Sequence, residues 1–261
     1  GAGVSTVEIL DPQTGQWSSG PSLPSEVRYG TAIGVGGKIL LVGGKDSQDQ
    51  YLHQVLELDP NTNQWGQKAS MPTARSGLKL VLFNGKVLAI GGHMGSESNK
   101  VEIYDPVADS WTAGASLTTV RDWPLAWVHN NRVFVAGGHD GIAYLNSVEV
   151  FVPESSQWLP AGTLPENKYV ADAAVLEGKI YLVAGKRGGN DHSNKVHAAD
   201  LPAPAMDLYF KDGNATAEAA TSPSLEGNLS ITLNMLAPDA LAKLDVNQTH
   251  AQTAGSVIAV P

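Results

Sequence analysis

The chain has 261 residues, a formal net charge of −9 and no cysteine. The acidic balance argues against nonspecific nucleic-acid binding, which needs a basic field to release counterions from phosphates, and against docking on an anionic membrane. Disulfides, thiolate metal sites and cysteine nucleophiles are excluded, and no apolar run is long enough to insert across a bilayer. With 28 Gly and 15 Pro, many short strands joined by turns are expected and long helices are not. Gly1 reads as a processed or arbitrary start.

Residues 7 to 20 supply two strands around Asp11-Pro12 and Trp17. Full units then start near Tyr29, Ser76 and Asp122, and a fourth starts near Tyr169. The units are marked by Trp17, Trp65, Trp111 and Trp158, with separations of 48, 46 and 47. Paired glycines keep the same step at Gly43-Gly44, Gly91-Gly92 and Gly137-Gly138, and a degenerate copy stands at Ala184-Gly185. A third marker is the Asp-Pro of Asp11-Pro12, Asp59-Pro60 and Asp105-Pro106, which becomes Val152-Pro153 in the next copy. Proline cannot donate to a strand ladder, so it ends a strand and opens a turn.

The unit from Gly77 to Thr118 reads most clearly. Residues 78–83 form a strand, Asn84-Gly85 a two-residue hairpin turn, and residues 86–90 a second apolar strand ended by Gly91-Gly92. Val101-Glu102-Ile103-Tyr104 alternates as a half-buried strand, and Ser110-Trp111-Thr112 is the outer one. Four short antiparallel strands in a unit of ~45 residues is the pattern of a propeller blade. In the fourth unit, strands are expected at 171–176, 179–184 and 195–200, and the repeat tryptophan is missing.

These markers resemble the Kelch repeat. Gly137-Gly138-His139-Asp140-Gly141-Ile142-Ala143-Tyr144-Leu145-Asn146-Ser147-Val148-Glu149 lies closest to that pattern. The resemblance implies an all-β, Kelch-type β-propeller: an incomplete ring, or about four to five blades of four antiparallel strands. Its expected extent is 1–204, divided into a partial blade 1–24 and repeats 25–72, 73–118, 119–165 and 166–204. The half-blade could complete the fourth unit and close a small ring. Alternatively the chain forms an open arc of a larger propeller, and this is preferred because unpaired edges are a liability. The parent chain is then expected to carry further repeats or domains.

Residues 205–261 change in composition and read as an irregular linker or stalk-like segment. Within it a strand is expected at 206–210, a short helix at 238–244 and an apolar strand at 255–261. Sequons stand at Asn214, Asn228 and Asn247. The segment is similar in composition to stalks of large bacterial surface proteins, which favours an extracellular or cell-surface location.

No phosphate loop, nucleophile elbow or zinc-protease helix is present. Neither a catalytic residue nor a cofactor is expected, and no metal site is assigned, although His93 and His139 share the position after the double glycine. The expected function is a non-catalytic binding module that uses one propeller face for an acidic peptide, protein or glycan. A sugar mutarotase-type Kelch enzyme and a structural spacer are the alternatives. Arg28, Arg75 and Arg121 begin equivalent strands at separations of 47 and 46, and Lys168 follows after another 47. Equivalent positions ring the axis, and arginine can grip carboxylates bidentately. Kelch adaptors for acidic peptides are similar in carrying Arg there, which implies ligand-binding roles for Arg28, Arg75, Arg121 and Lys168. Tyr29, Asp122, Trp123 and Tyr169 flank them, as candidates for aromatic or polar contacts. Solvated or locally bonded side chains at strand starts remain the other reading of the same residues.

Overall fold

The computed structural model describes residues 4–201, 209–211 and 214–216 of the chain. Strands β1 (Glu8–Leu10) and β2 (Trp17–Ser19) pair as a half-blade. The first blade is β3 (Thr31–Val35), β4 (Lys38–Val42), β5 (Val55–Asp59) and β6 (Gln64–Lys68). The second is β7 (Lys79–Phe83), β8 (Lys86–Ile90), β9 (Val101–Asp105) and β10 (Ser110–Ala113). The third is β11 (Leu125–His129), β12 (Arg132–Ala136), β13 (Ser147–Val152) and β14 (Gln157–Thr163). Strands β15 (Asp172–Leu176) and β16 (Lys179–Val183) open the fourth blade. The short ribbon β17 (Lys186–Gly188) and β18 (Asp191–His192) follows, and β19 (Val196–Asp200) pairs beside β16 as the third strand. Every blade is an antiparallel meander.

Local chemistry accounts for these meanders. The turn joining the first two strands of each blade places both central residues at positive φ: Gly36-Gly37, Asn84-Gly85, Asn130-Asn131 and Glu177-Gly178. That is the mirror-image turn whose twist matches its flanking strands. The Asp of each Asp-Pro caps the next turn with its own carboxylate. Asp11, Asp59 and Asp105 accept the backbone N–H of Gln13, Asn61 and Val107 at 2.8, 2.9 and 3.0 Å.

The core lies in the seams between blades. One cluster joins Leu40, Val42 and Val55 of the first blade to Leu80, Val87 and Tyr104 of the second. Another joins Leu88 and Ile90 to Val133, Val135 and Trp158. A third joins Leu125, Ala136 and Val148 to Ile180 and Leu182. Each fully buried aliphatic side chain contributes roughly 1.5–3 kcal/mol. The repeat tryptophans stitch the same seams. Trp65, Trp111 and Trp158 donate Nε1–H to the carbonyls of Pro21, Ala69 and Ala115 at 2.9, 2.8 and 2.9 Å, each on the blade before.

The half-blade belongs before the first blade. Val4 bridges Val27, and Trp65 reaches Pro21. The third-strand place of the fourth blade is held by β19. Strands β1 and β2 form a sheet of their own and β15, β16 and β19 a three-stranded one, so residues 7 to 20 are not hydrogen-bonded into the fourth blade as the closed-ring expectation had them. Apolar side chains stand exposed at both ends of the blade series, Trp17 at one and Leu176 and Val196 at the other.

The chain divides into units of residues 1–201 and 202–261. In the second unit β20 (Tyr209–Lys211) and β21 (Asn214–Thr216) form a hairpin, overlapping the strand expected at 206–210. The helix expected at 238–244 and the strand expected at 255–261 lie outside the described residues.

Candidate functional site

The expected ring of cations resolves into two layers. Arg75, Arg121 and Lys168 are fully buried. Each donates to the carbonyl of the first residue of its own blade's double-glycine motif: Gly91 at 2.6 Å, Gly137 at 2.7 Å and Ala184 at 2.7 Å. Arg75 and Arg121 also donate to the carbonyls of Lys100 and Ser147, where the third strand begins. Their charges meet internal carboxylates. Arg75 pairs with Glu102 at 2.8 Å, Arg121 with Glu149 at 3.0 Å and Lys168 with Glu166 at 2.8 Å. Arginine at this position does grip a carboxylate, but one from its own blade. The expectation that these three cations are presented to a ligand is corrected by their burial. Their partners had a signal in the sequence, since Val101-Glu102 and Val148-Glu149 repeat on the third strand.

Arg28 does not belong to that layer. The repeat step between the first and second blades is 48, as Gly43 and Gly91 show, so the counterpart of Arg75 is Val27. Val27 is buried, and so is Leu56, which holds the place of Glu102 on the third strand. The first blade thus replaces the ion pair with two apolar residues. In the fourth blade His197 takes the carboxylate's place and Glu166 supplies the negative charge, bonding both Lys168 and His197. The Lys168 hydrogen bond, with help from Ser193 and His197, holds the Glu166 carboxyl down to about 2. Its contribution to stability is present at neutral pH and lost as pH falls below about 4.

Arg28 sits in a second, half-buried layer formed by short bridges above the blades. Arg28, Ser76, Asp122 and Tyr169 bridge Lys45, His93, His139 and Lys186, the residues after each double glycine. Those residues pair in turn with Tyr51, Glu97, Tyr144 and His192. Contacts between blades join the layer into one arc. The Tyr51 hydroxyl approaches His93 Nδ1 at 2.5 Å, Glu97 lies 3.6 Å from His139, and the Tyr169 hydroxyl donates to Asp122 Oδ2 at 3.3 Å. The rings of Tyr144 and Tyr169 meet edge to face at 5.4 Å. Arg28 and Lys45 share Asp49, each at 3.1 Å.

Next to this layer in sequence, Tyr29, Gly77, Trp123 and Val170 hold equivalent positions, all with left-handed backbone at φ of 58, 63, 49 and 52°. Left-handed geometry costs a non-glycine residue roughly 1–2 kcal/mol. Blade-to-blade hydrogen bonds hold it in place, from Gly77 N–H to the Tyr29 carbonyl and from Trp123 N–H to the Gly77 carbonyl. Glycine at 77 lets Tyr29 and Trp123 meet edge to face above it, 5.9 Å apart. Tyr29 stays 48% exposed, as the flanking aromatic that the sequence expectation placed on this face.

The KLHDC2/KLHL20/DRC7 Kelch-repeats domain family matches residues 2–185. The chain belongs to the Kelch-repeat family. Kelch-like protein 35 of Homo sapiens is 39% identical over 57 residues, which is 22% of this chain and 10% of that protein. The chain therefore matches only about a tenth of that relative's length. The solved structure of YjhT aligns with a TM-score of 0.61 at 17% identity, over 74% of this chain and 69% of that one, a likeness of fold alone. Among the described residues of this Kelch domain no group of three or more His, Asp or Glu is placed to hold a metal ion.

Asp122 is the electrostatic outlier of the Kelch face. Burial pushes its carboxyl up to about 6, with Glu97 adding to the rise and His93 and the Tyr169 hydroxyl opposing it. Burial and the Asp122 charge together push the Tyr169 hydroxyl up. For an acid raised in the folded state, the protonated form is the better accommodated. The stability due to Asp122 therefore falls as pH rises from about 4 to about 6. Asp122→Asn keeps an acceptor for Tyr169 and removes the buried charge. It should raise stability at pH 7 by roughly 1–2 kcal/mol and flatten the pH dependence across that window. Denaturant titrations at pH 5 and pH 7 check this, and a destabilised variant at pH 7 contradicts it.

Proposed function

We propose that this Kelch domain is a non-catalytic module that binds a protein or peptide on the face carrying Tyr29, Tyr51, Trp123, Tyr144 and Tyr169. The observation that carries the reading is the half-buried arc in which four blades pool aromatic rings with His93, His139 and Asp122. Tyrosine and tryptophan are enriched at the cores of protein interfaces, where their rings bury area at little entropic cost. The rigid seams beneath hold that surface in place, so little ordering entropy is lost on binding. Of the four cations named by the acid-gripping expectation, Arg28 alone stands on this face, and it is engaged by Asp49.

Selection from a random peptide-display library against the intact chain tests the reading. Selected peptides should lose about tenfold or more in affinity on Tyr29→Ala or Tyr144→Ala, as truncation of a hot-spot aromatic does. The melting temperature should stay near that of the unaltered chain. A library that yields no binder, or binders indifferent to both variants, overturns the proposal. A glycan array run alongside decides the ligand class, since a sugar displaced by the same variants would replace the peptide reading.

A further inference from the structure

A cavity of about 210 Å3 opens in the seam between the second and third blades. Its wall is Phe83, Leu88, Val101 and Ile103 from the second blade and Phe151 and Trp158 from the third. Phe151 stands edge-on to Phe83 at 6.4 Å and tilted against Trp158 at 5.4 Å. Asn84 and Lys86 also border the cavity, at the turn end of β8, away from Gly91-Gly92 and the tyrosine arc.

The repeat shows why the seam is open here. Between the first and second blades the equivalent place carries a polar lid. Lys68 of the first blade reaches Asp109 of the second at 3.4 Å. Asp109 also accepts the Tyr104 hydroxyl at 2.7 Å and the Ala69 backbone N–H at 2.9 Å. One repeat later, counted from the repeat tryptophans, Lys68, Asp109 and Tyr104 become Gly114, Ser156 and Phe151. The cation, the carboxylate and the hydroxyl of the lid are all lost together. The half-blade has a glycine at this place too, since Gly20 stands beside Val7 and Ile9 as Gly114 stands beside Val101 and Ile103. Among the described residues, however, that sheet has only β1 and β2, with no inner strands to wall a cavity.

The wall decides what fits. Lys86, the one charged residue bordering the cavity, is held by Asp105 at 2.9 Å. The Trp158 indole N–H is spent on the Ala115 carbonyl at 2.9 Å. A charged guest would therefore lose its water without gaining a partner. The three rings of the wall favour an aromatic guest, because ring edges and faces attract one another beyond their buried area. An engineered apolar cavity of about 150 Å3 holds benzene, so 210 Å3 leaves room for one ring and a short neutral substituent. We propose that the seam between the second and third blades is a binding site for a small, neutral, single-ring aromatic molecule. The site is separate from the peptide-binding face and does not rest on that reading.

The test uses the intact chain labelled at tryptophan nitrogen and four probes of similar size: benzyl alcohol, benzoate, benzylamine and cyclohexylmethanol. At pH 7, benzyl alcohol should move the Trp158 indole N–H resonance saturably, the assignment being fixed by its loss in Trp158→Phe. It should bind about tenfold more tightly than benzoate or the benzylammonium ion, whose charges would be buried unpaired. Against cyclohexylmethanol the preference should be roughly threefold, the share due to ring-to-ring contact. Gly114→Lys combined with Ser156→Asp rebuilds the lid of the preceding seam and should abolish the shift, while library-selected peptides still bind. If that variant melts lower, the probe series on the unaltered chain decides alone. No saturable shift with benzyl alcohol, equal binding of the charged probes, a preference for cyclohexylmethanol, or an undiminished shift in the folded lid variant would overturn the site. Tighter binding of the capped peptide Ac-Gly-Phe-Gly-NH2 at the same resonance would overturn it in favour of a peptide side chain.

Discussion

Arg121→Leu should destabilise the domain by about 3–5 kcal/mol, the cost of leaving a buried carboxylate without its partner. Arg121 donates to Glu149 through Nε at 3.1 Å and Nη2 at 3.0 Å, to the Ser147 hydroxyl at 2.8 Å, and to the Gly137 and Ser147 carbonyls. Glu149 additionally accepts the backbone N–H and hydroxyl of Thr118. Removing the arginine therefore strands a charge and several acceptors together. Arg75→Leu should cost less, because the Nε of Arg75 already lacks a partner among the described residues and a single nitrogen reaches Glu102. The first blade shows how the loss can be recovered. There the two positions are Val27 and Leu56, both buried. Arg121→Val combined with Glu149→Leu should restore most of the stability, short by roughly 1–2 kcal/mol for the donors of Thr118 left unpaired. Urea unfolding of Arg121→Val, Glu149→Leu and the double variant gives the coupling directly. A double variant no better than Arg121→Leu alone would refute the account.

Trp158→Ala should cost about 3–5 kcal/mol, as deletion of a buried aromatic ring does. Trp158 is 4% exposed, lies in the seam with Val133 and Val135, and ties the Ala115 carbonyl of the preceding blade. The same substitution at Trp17 should change stability by less than about 0.5 kcal/mol, the usual range for a surface site. Trp17 occupies the same motif but is 65% exposed. Thermal melts of the two variants make the comparison, and similar losses at both positions would show that the motif, not the seam, sets the contribution.

The blades were legible because their signals are local and repeated. The left-handed turns at Asn84-Gly85 and Gly36-Gly37, the carboxylate caps at Asp59 and Asp105 and the apolar runs of residues 86–90 depend on neighbours within a few residues. The inter-blade role of the tryptophans follows from the period, since a ring repeated every turn of the architecture meets the same neighbour each time. The face was harder to read. Counting 47 from Arg28 to Arg75 placed two different layers in one register, although the glycine markers had a step of 48 there. In a strand a one-residue error exchanges buried and exposed sides.

The sequence by itself determined the repeat, the four-stranded unit and the family, because backbone hydrogen bonding and turn chemistry act over short stretches of chain. Only the tertiary structure decided that Arg75 and Arg121 turn inward to Glu102 and Glu149, that β1 and β2 pair apart from the fourth sheet, and that Asp122 packs its carboxylate against Gly77. Those outcomes depend on which side of a strand meets a neighbouring blade and on how much water remains there. Desolvation and charge pairing are properties of the packed assembly, so no single repeat encodes them.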